Sequence, residues 1–358
     1  MILRTSHKKK EPELKTREAV TRHRFPVQRL RWIILLVVII GGEVSVQSIP
    51  ADTATAHRAS PQNAITPEYH VIRHVEIGDC SADVLAIDME NRRLYGACNK
   101  VIDLDTYSVV GELPDNAGHG YALAPELGRG LTRAGLIFDL KSLHVVGRVA
   151  VSSESDELVF EHATHRAFVL APDRTAVVDM ATAKIVGQIS LQGKPEAGVA
   201  DGERVYVNLS DRNSTVVINA RTLEIEARWQ LDGCSSPQAL SLDGAHHRIF
   251  VSCQQQVMVL DTESGRKVAE VPTPRGPADQ TAFDPGTQLL LSPNAYAEVT
   301  VIHEDSPDRY SIVQVVTVPD AHDDLAIDTR THRAFLYRYD PSPFTVYVLA
   351  PAEDRGGT

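Results

Sequence analysis

One unit recurs along the chain about every forty residues, and a period of that length restricts the fold more than any single motif. The unit is a short apolar run closed by an acid, then a turn, then an arginine that opens a second apolar run. It reads Leu85-Ala86-Ile87-Asp88 with Arg93-Leu94-Tyr95, and Leu158-Val159-Phe160-Glu161 with Arg166-Ala167-Phe168. It returns as Leu240-Ser241-Leu242-Asp243 with Arg248-Ile249-Phe250, and as Leu325-Ala326-Ile327-Asp328 with Arg333-Ala334-Phe335. Less regular copies end at Pro125, Asp201 and Asp284, so consecutive anchors lie 37, 36, 40, 42, 41 and 44 residues apart. A second signature follows each of the first six anchors: Val101-Ile102-Asp103, Ile137-Phe138-Asp139, Val177-Val178-Asp179, Val217-Ile218-Asn219, Val259-Leu260-Asp261 and Val301-Ile302-His303. In the first five, the eighth residue after the polar one is small: Gly111, Gly147, Gly187, Ala227 and Ala269.

Each unit therefore holds four short runs rich in Val, Ile, Leu and aromatics, bounded by turn residues, with no helix-length periodic segment between them. Such runs are strands. Four strands per unit, seven times over, predict an all-β, seven-bladed β-propeller. The first run of a unit is apolar on both faces, with Leu85 and Ile87 on one and Val84 and Ala86 on the other. A blade sandwiched between two neighbours requires that pattern. The last unit begins near Pro319 and supplies three strands, ending Phe344–Leu349. The strand Tyr69–Ile77, ahead of the first unit, is expected to supply the fourth and so leave no open sheet edge. The predicted propeller covers residues 69–351, with 352–358 as a C-terminal tail.

Residues 1–31 carry ten Lys/Arg against three Asp/Glu, and Trp32–Gly42 follows without a charge. About 20 apolar residues span a bilayer comfortably, whereas a run this short suits a signal peptide. Val46-Gln47-Ser48 offers a cleavage site. Residues 1–48 are read as a signal peptide or an uncleaved signal anchor, and 49–68 as a flexible linker. Under either reading the body is exported, periplasmic or secreted, and touches the membrane only through residues 32–48. An oxidising compartment permits disulfides. Cys80 and Cys98 bracket the first hairpin of the first unit, and Cys234 and Cys253 bracket that of the fifth. Strands one and two are antiparallel, so only the pairing Cys80–Cys98 with Cys234–Cys253 avoids crossing the ring.

The whole chain has a net charge of −11, and without its first 31 residues the net charge is −18. A body this acidic repels phosphate backbones, so nucleic acid is not the expected partner. The sequence contains no G-x-S-x-G elbow, H-E-x-x-H, Walker A loop or C-x-x-C pair. The acid/arginine pairs Asp88/Arg93, Glu161/Arg166, Asp201/Arg204, Asp243/Arg248 and Asp328/Arg333 recur in register, which makes them structural brackets of a turn. His165, His247 and His332 share one slot of three such turns and with His162 and His246 suggest a metal site, but equivalent slots sit on different blades and so cannot converge on one ion. His162 and His165 share a turn and form a weak metal pair, and His303-Glu304-Asp305 opens a longer hairpin that is either a charged turn or a cation contact.

Five residues before each anchor stand Asp83, Gly120, Asp156, Glu196, Gln238, Asp279 and Asp323, with His119 next to Gly120. Equivalent positions of a propeller converge on its axis, so these residues predict a polar ring at the channel mouth. Hard oxygen donors suit Ca²⁺ or Mg²⁺, and His119 would admit a transition metal. The plainer alternative is that short acids cap backbone N–H groups of the preceding turn. The expected function is a non-catalytic scaffold, monomeric, that binds a small molecule or a protein through its top face and channel. The alternative is a metal-dependent hydrolase or lactonase-like enzyme with its site in that channel.

The D-x-x-x-x-R-[LIA]-[FY] hairpin followed by V-[IV]-D and V-V-G resembles the YVTN-repeat, YncE-like propellers of exported bacterial proteins. The stretches His119–Gly130, Gly193-Lys194-Pro195-Glu196 with Val205-Tyr206-Val207-Asn208, and His303–Tyr310 are similar to one branch of that family. The resemblance covers 69–351 and implies the same seven-bladed fold. It implies a binding role only broadly, since one member type is associated with single-stranded DNA and the acidic body here argues against that partner. The cysteine pair of the first unit departs from the branch pattern.

Overall fold

A computed structural model describes residues 68–79, 84–114, 120–152, 154–172, 174–273, 276–322, 324–338 and 342–352. The chain divides into two units, Met1–Gln62 and Asn63–Thr358, and these residues lie in the second. The signal or anchor segment lies outside the described residues. Among those described, no helix is long and apolar enough to cross a membrane.

Among the described residues, twenty-eight strands form seven four-stranded antiparallel sheets. Blade 1 comprises β2 (Ala86–Asp88), β3 (Arg93–Ala97), β4 (Lys100–Asp103) and β5 (Val109–Glu112). Blades 2 to 6 repeat this order, with first strands β6 (Tyr121–Ala124), β10 (Leu158–Glu161), β14 (Pro195–Asp201), β18 (Leu240–Asp243) and β22 (Ala282–Asp284). Six anchor acids thus end the first strand of their blade, and Pro125 instead opens a 3-10 turn over Pro125–Leu127. Blade 7 contains β26 (Ala326–Asp328), β27 (Arg333–Arg338) and β28 (Phe344–Pro351), and β1 (Tyr69–Gly78) pairs with β28 from Tyr69↔Pro351 to Gly78↔Phe344. The first strands touch in sequence around the ring and β26 returns to β2, so the ring closes as the sequence predicts.

Seven apolar clusters hold the blades together, one at each blade–blade interface. Strand alternation divides the side chains between them. Along β27, Ala334 and Leu336 face blade 6, whereas Phe335 and Tyr337 face blade 1. Along β19 (Arg248–Cys253), Ile249 and Val251 face blade 4 and Phe250 faces blade 6. The small residue of the fourth strand also has a packing reason. A side chain at Gly111 or Gly187 would strike Leu143 or Leu223, which project from the third-to-fourth-strand turn of the next blade.

Polar latches repeat at the same interfaces. Asp88, Glu161, Asp243, Asp284 and Asp328 each first cap their own turn, as Asp88 Oδ1 does by accepting from Glu90 N–H (3.0 Å) and Asn91 N–H (2.9 Å). The arginine of the same hairpin, its partner in register, reaches forward instead. Arg93, Arg129 and Arg166 donate to backbone carbonyls at Leu140, Met180 and Ala220, each in the following blade. The residue before that arginine reaches backward. Arg92 meets Asp328 of blade 7 at 2.7 Å, and His332 Nδ1 lies 2.6 Å from Asp284 of blade 6. The acid/arginine brackets are therefore blade-to-blade ties, formed because the turn's own N–H groups already occupy the acid.

The Cys234–Cys253 disulfide is present, with Cα atoms 5.3 Å apart and both residues buried. Cys98 is also disulfide-bonded and no described cysteine is free; Cys80, its expected partner, lies outside the described residues.

Candidate functional site

The innermost strands begin at one end of the channel, and a cavity of about 250 Å³ opens among their first residues. Its walls are Val84 of blade 1, Asp156 and Glu157 of blade 3, Lys194 and Glu196 of blade 4, Gln238 of blade 5, Asp279 and Gln280 of blade 6, and Asp324 of blade 7. Residues from six blades meet here, and Leu85 N–H donates to Gln280 Oε1 (3.4 Å) past the intervening blade 7. Of the seven positions of the predicted ring, Asp156, Glu196, Gln238 and Asp279 line this cavity. Asp83, His119 and Asp323 lie outside the described residues, and the seventh position, Gly120, is buried but not part of the wall.

The positions five residues before the anchors supply four of the nine wall residues. The residue four back also lines it in four blades, as Val84, Glu157, Gln280 and Asp324. In blades 4 and 5 the same position holds Ala197 and Ala239, which are buried and too small to project. Taking both positions in every blade would have found this second tier from the sequence.

Neighbouring side chains set the charge of the wall. Lys194 Nζ donates to Glu196 Oε1 (2.6 Å), which also accepts from Ser210 Oγ (2.7 Å). That hydrogen bond, with the nearby charges of Asp156 and Asp211, holds the Lys194 ammonium above its ordinary range against partial desolvation. Asp324 is buried and accepts from Tyr337 Oη (2.5 Å), whose ring stacks on His322 and Phe344. Gln238 Oε1 is buried without a hydrogen-bond partner among the described residues. Glu157 keeps part of its surface on the cavity, yet loss of hydration pushes its carboxyl up to about 8, against the opposing Gly198 N–H (3.0 Å), with Asp156 adding to the rise. The wall thus gathers the carboxyl groups of Asp156, Glu157, Glu196, Asp279 and Asp324 around one lysine, and the raised Glu157 is mostly protonated at pH 7.

No family model matches the chain, and no curated protein matches it. Solved structures do resemble it. A chain of the mitotic checkpoint complex crystal structure aligns with a TM-score of 0.65 at 12% identity, over 85% of this chain and 98% of that one. The WD40 repeats of RRP9 align with a TM-score of 0.69, also at 12% identity, over 80% and 99%. The likeness is one of fold. Both neighbours are covered nearly end to end.

Other sequence candidates fall elsewhere. His162 Nδ1 lies 3.1 Å from Glu126 Oε1, and His165 Nε2 lies 3.9 Å from the same atom, on an open surface between blades 2 and 3. His303 Nδ1 contacts Asp305 Oδ1 (2.9 Å) within the hairpin of β24 (Glu298–Ser306) and β25 (Arg309–Thr317), whose extra length the sequence indicated. Glu304 turns away from both, toward blade 5.

Proposed function

We propose that the chain is an exported, non-catalytic β-propeller of the YVTN-repeat kind that binds a positively charged group at its channel mouth. The observation that carries this reading is the composition of the wall, with carboxylates from four blades gathered around one lysine. Like charges brought together favour a cation that neutralises them, and low-dielectric walls strengthen that attraction. Size narrows the choice. A water occupies about 30 Å³ of liquid, so 250 Å³ takes an ammonium or guanidinium head with its stem, and it falls below the roughly 300–1,000 Å³ of drug-sized sites. The head could belong to a small metabolite or to a Lys or Arg side chain of a partner protein. A scaffold role is in keeping with a structural neighbour that belongs to a multi-protein complex.

The basic and then apolar N-terminus and the buried Cys234–Cys253 bond support export. The experiment is a thermal-shift series on the purified full chain with agmatine, putrescine, arginine amide, Ca²⁺, Mg²⁺ and acetate. Stabilisation by the organic cations and none by acetate supports the reading. Stabilisation by Ca²⁺ or Mg²⁺ alone would make the ring a hard-metal site, and no response to any cation would leave the acids as turn caps.

A further inference from the structure

A second constellation lies away from the channel mouth, where the turn of blade 5's first hairpin packs on blade 6. Asp243 ends β18 and is 3% exposed; Glu304 lies on β24 and is 2% exposed. His246, in the turn after Asp243, places Nδ1 2.6 Å from Asp243 Oδ2 and 3.1 Å from Glu304 Oε1. One donor atom from each residue falls within 4.8 Å of the other two. Neither oxygen of the Glu304 carboxylate has a hydrogen bond of acceptable geometry, although both are buried.

Two other interfaces pair a buried anchor acid with a cationic or imidazole side chain. At the blade 7–1 interface the buried anchor acid Asp328 meets Arg92, and at the blade 6–7 interface Asp284 meets His332. The corresponding slot of blade 6 is Gln288, whose carbonyl accepts from Glu304 N–H (2.9 Å) and so fixes Glu304 beside it. A second carboxylate therefore stands where the other two interfaces place a cationic or imidazole side chain. Arg248, the nearest guanidinium of the turn, is engaged by Asp261 (3.1 Å) and Asp308 (2.8 Å). Two buried carboxylates facing each other with a single imidazole between them are costly unless a positive charge joins them.

We infer that Asp243, His246 and Glu304 form a binding site for a divalent transition-metal ion, with Zn²⁺ the best match to one imidazole nitrogen and two carboxylates. Three protein donors leave a fourth tetrahedral position for water. The half-exposed His246 provides the entry side. Ca²⁺ is a poorer match, because it takes six to eight oxygen ligands and this cluster offers a nitrogen and two carboxylates. The ion's two positive charges balance the carboxylate pair and tie blade 5 to blade 6, as Arg92 ties blade 1 to blade 7.

The test is Zn²⁺ binding by the full chain, read by metal analysis after dialysis, by calorimetric titration and by the visible absorption of a Co²⁺-loaded sample. Wild type is expected to hold one Zn²⁺ more than E304Q. Loss of an outer partner of a metal ligand already weakens binding about 10–100-fold, so loss of a ligand should weaken it at least about tenfold. H246N should behave like E304Q, and H332N, at the blade 6–7 interface, should leave Zn²⁺ affinity unchanged. E304Q removes a buried like charge, so its metal-free form is expected to melt no lower than wild type, which separates lost binding from lost folding. Equal Zn²⁺ content and affinity in wild type and E304Q would overturn the inference and point to the surface pair His162 and His165 or to the N-terminal segment. Absence of Zn²⁺ and Co²⁺ binding in wild type would overturn it outright.

Discussion

Replacing Arg92 by alanine should weaken the propeller where its last blade meets its first. Arg92 joins two carboxylates of very different exposure: its guanidinium lies 2.7 Å from Asp328, whose side chain is 1% exposed, and 2.7 Å from Asp105, which is 52% exposed. Removing one partner of a buried ion pair costs about 3–5 kcal/mol, because the remaining charge stays in a poorly hydrated site. Asp328 keeps two other donors, Arg330 N–H (3.1 Å) and Thr331 Oγ1 (2.7 Å), which places the loss near the lower end, about 3 kcal/mol. The exposed Asp105 contact is worth no more than about 1 kcal/mol, so Asp105→Ala should cost correspondingly little. Domains of ordinary stability have about 5–15 kcal/mol in reserve, so urea midpoints will report the difference clearly.

Acidity adds a second readout. Burial raises the Asp328 pKa, but the Arg92, Thr331 and Arg330 hydrogen bonds outweigh it and hold the carboxyl below its usual range. A depressed folded pKa stabilises above the unfolded value of about 3.9 and loses that contribution as pH falls through the folded value. The wild-type advantage over R92A should therefore be full at pH 7 and shrink on acidification past about 4. Urea unfolding followed by circular dichroism and by Trp229 fluorescence provides the measurement. Equal losses for R92A and D105A, or a gap that does not change with pH, would refute the reasoning.

Further outcomes are expected elsewhere. Cys234→Ala with Cys253→Ala should cost about 3 kcal/mol in the chain-entropy account of a loop this size, seen as a lower calorimetric midpoint; a loss under about 1 kcal/mol would count against the bond's structural weight. Phe250→Ala, emptying the blade 5–6 interface at a fully buried ring, should cost about 3–5 kcal/mol in urea, and an unchanged midpoint would contradict the packing. Gly96→Ala should cost at least about 1 kcal/mol, since φ is +102° there and a Cβ would strike the Val84 carbonyl; near-neutral stability would refute that close approach. Ionisation of Glu157 near 8 should strengthen agmatine binding between pH 7 and 9 in wild type, and Glu157→Gln should flatten that rise.

The ring was legible because its information is periodic. Six anchor acids end first strands, and the V-[IV]-D triplets place a polar residue whose side chain caps the next turn, as Asp103 Oδ1 does for Thr106 N–H (2.7 Å). Convergence on the axis followed from the same periodicity, so Asp156, Glu196, Gln238 and Asp279 could be brought together before any coordinates. The inter-blade ties were not legible. Asp88 and Arg93 are register partners in one turn, yet their side chains serve different groups, because backbone N–H groups satisfy the acid first. Glu304 stood in a hairpin already read as a charged turn or a cation contact, but its pairing with Asp243 and His246 was hidden, because those residues belong to the preceding blade.

Calorimetric titration of agmatine into the full chain, set against the D156N/E196Q/D279N variant, tests the channel-mouth reading most directly. The account predicts saturable one-site binding to the wild type, weakened by added salt, and at least about tenfold weaker in the variant as three charges leave the wall. Equal binding heats for the two proteins, or no saturable binding to the wild type, would contradict it.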